Sequence, residues 1–193
     1  MSNARNLSKV EVDTNGDIEV GSLGNANDAS ALTTGTLGTA RLPAGSVLQV
    51  VSVTTTSSTT NTTNTPADVT GLTASITPLS ASNKVLVMVS TQWELFRSSL
   101  EAAGYFLLLR GATTIFSQSA NSLAMEAAPS SNGRIYIDGW YAPIIVDSPS
   151  TTSSTTYKVQ LACASTGSSG RITVNNQANN TQTASIVLME IAG

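Results

Sequence analysis

Hydrophobic and polar residues alternate along this chain in short runs separated by turn residues. Val10 and Val12 alternate with polar neighbours before Asn15-Gly16, and Ile18 and Val20 do so after it. Two period-2 runs facing each other across Asn-Gly predict a β-hairpin over 8–20 with a type I′ turn. A lone hairpin is marginal in water, so the apolar face of Val10, Val12, Ile18 and Val20 needs something to dock on. From residue 46 onward the pattern predicts strands at 46–53, 72–76, 84–91, 105–110, 113–117, 134–141, 144–146, 157–163, 171–174 and 184–191. Many short strands with almost no helical period predict an all-β domain, an antiparallel β-sandwich or jelly roll.

Three stretches depart from that rhythm. The runs 84–89 and 105–109 are apolar almost throughout, and strands apolar on both faces need cover on both, which a neighbouring subunit can supply. Residues 93–103 read as one short helix or a crossover loop, with Trp93, Leu95, Phe96 and Leu100 packing inward. The Ser/Thr-rich stretch 54–65 has no apolar face to bury, and reads as an edge or a loop.

Residues 21–45 carry no regular period, and glycines at 21, 24, 35, 38 and 45 interrupt any element. Within them NDASALTTGTLGTARLP, residues 27–43, spaces leucines at 32, 37 and 42 through small polar residues. So short and polar a segment does not bury its leucines against itself. It is either a flexible linker or a strand that pairs with copies of itself.

The run from Ala31 to Pro43 resembles the LTTGTL…ARLP collar of tailed-bacteriophage fibre proteins. The resemblance implies three parts: a virion-attachment segment with the hairpin (1–25), an extended collar (26–45) and a C-terminal β knob (46–193). It implies a homotrimer with contacts at Leu23, Leu32, Leu37 and Leu42. The hairpin residues Val10, Val12, Ile18 and Val20 would anchor the chain to other virion proteins. The knob would resemble the compact trimeric jelly rolls of adhesins and bind a glycan or protein of the host surface, catalysing no reaction. The protein would then sit on the virion surface, at the tail or on the capsid. A capsid decoration or head-fibre protein is the first alternative, and a polysaccharide-depolymerising tailspike the second.

Composition narrows the chemistry. Charged residues make up 11% of the chain, against about 25% in ordinary soluble domains, and Ser with Thr make up about 28%, so hydroxyls carry its solubility. A net charge of -3, with the nine basic residues scattered, argues against a nucleic-acid partner. No apolar run is long enough to predict membrane insertion, and the N-terminus lacks the apolar core of an export signal. Release by lysis within a particle is compatible with that.

The sequence contains no histidine, which removes imidazole acid–base chemistry and the Ser-His and Cys-His nucleophile systems. The single cysteine, Cys163, rules out an internal disulfide and reads as a small buried hydrophobe. Asp13, Asn15 and Asp17 imitate the opening of an EF-hand loop, but its closing Glu position falls on Gly24, so no metal is expected. No cofactor motif is present. A glycosidase needs two carboxylates, and Glu94, Glu101, Glu126, Asp138 and Asp147 are available, none in a motif. Asp138, in Ile-Asp-Gly-Trp, stands beside Trp140, which is either a ring for stacking sugar or a core aromatic next to a strand-end acid. The long polar loops 117–132, 148–156, 165–170 and 175–182 are the remaining recognition candidates.

Overall fold

The computed structural model describes residues 42–98, 101–119, 123–126, 135–176 and 182–193. The hairpin face of Val10, Val12, Ile18 and Val20, and the collar leucines Leu23, Leu32 and Leu37, lie outside the described residues. Leu42 is the first residue described, half-buried just ahead of the first strand.

Twelve strands are described, and no helix among the described residues. β1 (Val47–Thr55), β2 (Thr59–Asn61), β4 (Lys84–Arg97), β8 (Ile135–Tyr141), β9 (Ile144–Asp147), β11 (Arg171–Val174) and β12 (Ala184–Ile191) form one sheet. β3 (Ala67–Ile76), β5 (Glu101–Arg110), β6 (Thr113–Ser117), β7 (Leu123–Glu126) and β10 (Thr155–Cys163) form the other. All the pairings are antiparallel.

Several of these strands lie end to end in one line. β8 and β9 run in succession along one side of β4, and β11 and β12 along its other side. β2 continues the line of β1, and β6 and β7 share one side of β5. Merged in this way, each sheet is four strands wide, in the orders β1/β2, β11/β12, β4, β8/β9 and β3, β10, β5, β6/β7. Eight strands in that chain order make a jelly roll.

Alternation explains the core. Val85, Val87, Val89 and Leu95 of β4 face inward with Ile186 and Leu188 of β12, and meet Phe106 and Leu108 of β5 and Val159 and Leu161 of β10. Phe106 stacks on Tyr141 with ring centroids 4.4 Å apart. Cys163 is buried, and burial pushes its thiol up, away from the reactive thiolate. At one end Asp147 joins the sheets: Arg110 Nη1 and the Tyr157 hydroxyl each donate to it at 2.7 Å.

Several sequence expectations are corrected. Residues 93–97 are strand, because β4 continues to Arg97 with partners on both sides, and the chain then crosses to β5. Arg97 braces that corner, its Nη1 donating to the Glu101 carbonyl at 2.7 Å and its Nε to the Gly167 carbonyl at 3.0 Å. The 54–65 stretch, expected as an edge or a loop, forms an edge: it contributes the end of β1 and all of β2 at the rim of the sheet, although it lacks an apolar face. Asn61 substitutes for one: buried, it donates to the Thr65 and Leu161 carbonyls and accepts from the Thr63 amide and hydroxyl. Within the loop expected over 117–132, residues 123–126 pair with β5 as β7.

Candidate interaction surface

Among the described residues, seven large hydrophobic side chains are exposed, and six of them lie on the outer face of the sheet built on β4. Directly opposed residues of antiparallel strands share a face, so the register gives the layout. One row runs Val50, Met189, Leu86, Val146, and the next Ser52, Val187, Met88, Ile144. Ile144 is 68% exposed, Val146 and Val50 are also more than half exposed, and Met88, Leu86, Val187 and Met189 are half-covered. A third row, Val47, Ile191, Lys84, ends the patch where the chain enters β1. The outer face of 84–89, expected to need a second cover, has none from the described residues of this chain.

Further along β4 the same face changes character. Across its register lie Gln92 with Trp140, Glu94 with Asp138 and Phe96 with Tyr136. On the far side of β4, Thr173 stands opposite Glu94 and Arg171 opposite Phe96. Trp140 is 59% exposed, so of the two readings of it the core aromatic does not hold; the inward aromatics of β4 and β8 are Trp93 and Tyr141. Asp138 sits in mid-strand and not at a strand end. Gly139 is what lets Trp93 pack under β8: a Cβ there would lie 2.5 Å from Trp93 Cζ2.

Glu94 is 8% exposed. Its Oε2 accepts a hydrogen bond from Asn176 Nδ2 at 2.7 Å, while Oε1 has no hydrogen-bond partner among the described residues and lies 3.7 Å from Arg171 Nη2. Asn175 sets Asn176 in place: in a left-handed conformation at φ 50°, it turns the chain out of β11 and donates to the Thr55 carbonyl at 3.0 Å. Arg171 lies 4.0 Å above the Phe96 ring, whose centroid is 4.7 Å from that of Tyr136.

The opposite sheet presents a different outer face. Lys158 and Gln160 both donate to Asp68, at 2.9 and 2.6 Å, and Ser75 bonds Thr156 at 2.8 Å. Among the described residues, most of the large apolar exposure therefore lies on one side of the sandwich.

Of the acids available for two-carboxylate chemistry, the fold brings Glu94 and Asp138 together and places Glu101 opposite Glu126 on the other sheet. Asp147 is occupied by Arg110 and Tyr157. No group of three or more candidate metal ligands occurs among the described residues. Nothing in the sequence signalled the Glu94–Asp138 pairing, because register between distant strands carries no local mark.

No protein-family model matches this chain, and no curated protein matches it. Among solved structures it is similar to a chain of infectious bursal disease virus, Gx strain, at 13% identity over 77% of this chain and 39% of that one, with a TM-score of 0.30. T=1 particles derived from infectious bursal virus give 14% identity over 75% and 36%, with a TM-score of 0.30. The Gt strain gives 15% over 75% and 38%, with a TM-score of 0.29. The chain spans less than two fifths of each of these viral chains, and a likeness at this level carries nothing about function.

Proposed function

We propose that this chain is a structural component of a phage virion, a trimeric fibre whose jelly-roll knob binds the host surface and catalyses no reaction. The observation that carries it is the pair of apolar rows on the outer face of the β4 sheet. A contiguous exposed apolar patch rimmed by polar residues, on a chain this poor in charge, marks an interaction surface. Binding is favoured over cleavage because Glu94 is covered, and a glycosidase requires both carboxylates at the scissile bond.

Sedimentation of the full chain tests the assembly: a trimer is expected, and a monomer at micromolar concentration refutes it. Imaging of intact particles tests the location. Copies at the tail support a tail fibre, and copies following the capsid lattice establish the head-fibre alternative instead.

A further inference from the structure

We propose that the aromatic end of this face binds a neutral saccharide, with the Trp140 indole as stacking platform and Asp138 and Gln92 as hydrogen-bonding groups. This rests on the reading that the knob contacts the cell surface, and names the chemistry it recognises there.

Tyr136, Asp138 and Trp140 are alternate residues of β8, so all three project from the outer face, and all three are exposed. Four residues of strand separate the two rings by about 13 Å, with a carboxylate midway, a span that suits one or two hexose rings. Phe96 backs Tyr136 and Arg171 backs Phe96, so that side of the site is built and not loose.

The floor under these groups is fixed. Glu94, directly across from Asp138, is nine-tenths covered, accepts from Asn176 and lies 3.7 Å from Arg171, so it backs the face from beneath without touching a ligand. The side chains match a sugar in kind. The electron-rich indole face attracts the C–H face of a pyranose, and ionised carboxylates accept hydroxyl hydrogens. Two carboxylates against one guanidinium disfavour an anionic ligand, so uronic acids and phosphorylated sugars should be rejected. A subunit contact fits this end less well, because the cores of protein interfaces are depleted of charge. The apolar rows, by contrast, have no carboxylate among them.

The test uses the full chain and the variants Trp140→Ala and Asp138→Asn on arrays of neutral hexose oligosaccharides and uronic-acid oligosaccharides, with whole-cell binding and sedimentation in parallel. Wild type should retain neutral sugars and not the acidic ones. Trp140→Ala should weaken binding at least about tenfold with its sedimenting mass unchanged. Preference for uronic acids, full binding by Trp140→Ala, or a changed mass in that variant would each overturn the inference, the last by making Trp140 a subunit contact. Cells bound with no array sugar retained would sink the saccharide and leave host binding standing. Sugar bound through Trp140, with particles lacking the chain adsorbing normally, would uphold the site and remove the host-attachment role.

Discussion

Glu190 is the residue with the most at stake in the fold. It is fully buried at the end of β12, where Gln49 Nε2 and Asn83 Nδ2 donate to it at 2.5 Å and the Leu79 amide at 2.7 Å. Burial alone would raise its pKa, but these donors and the Ser80 amide outweigh that and hold the carboxyl below its ordinary value. A group lowered on folding stabilises the native state above its unfolded pKa, and that contribution is lost as pH falls through the folded value. Urea midpoints should therefore be flat above about pH 5 and fall below it. Glu190→Gln should flatten the acid limb and lower stability at pH 7 by about 1–3 kcal/mol, since one amide hydrogen must now face former donors. An unchanged acid limb would show that Glu190 does not govern it. The residue gave no such signal in the sequence, where it was simply the polar position in a strand, because its partners come from β1 and the turn after β3.

At the scale of elements, β8 links fold to site. Its inward residues Ile135, Ile137 and Tyr141 join the core, and Gly139 leaves room for Trp93. Gly139→Ala is expected to displace the indole, lower the unfolding free energy by about 1–3 kcal/mol and weaken saccharide retention together. Loss of stability with retention intact would separate β8 geometry from the site. The alternation rule placed this strand, and nearly every other, from sequence alone, because burial on one face writes a period of two into the residues. It failed where side-chain hydrogen bonds replaced apolar burial, as at Asn61, and where an apolar run continued into a strand longer than usual, as at 93–97. The carboxylate pair was out of reach for a different reason: Glu94 and Asp138 become neighbours through register, which depends on how the whole sheet assembles.

For the molecule as a whole, the contrast between its two outer faces makes a direct prediction. Ile144→Asp with Met88→Glu places charge in the centre of the apolar rows and should shift the full chain from the proposed trimer toward monomer in sedimentation, while circular dichroism stays that of a β protein. A trimer that survives both changes locates the contacts elsewhere. Removing residues 1–41 asks whether the knob associates alone. Persistence of the trimer in that truncation is expected from the patch, and a monomer would assign assembly to the N-terminal segment. The strict alternation of β8 has one more consequence, if its exposed side reads the receptor. Positions 136, 138 and 140 then vary without disturbing the residues that hold the sandwich together, so the range of cells recognised is free to drift through substitutions on one face of one strand. Lineages of such a particle should diverge there first, and keep Ile135, Ile137 and Tyr141.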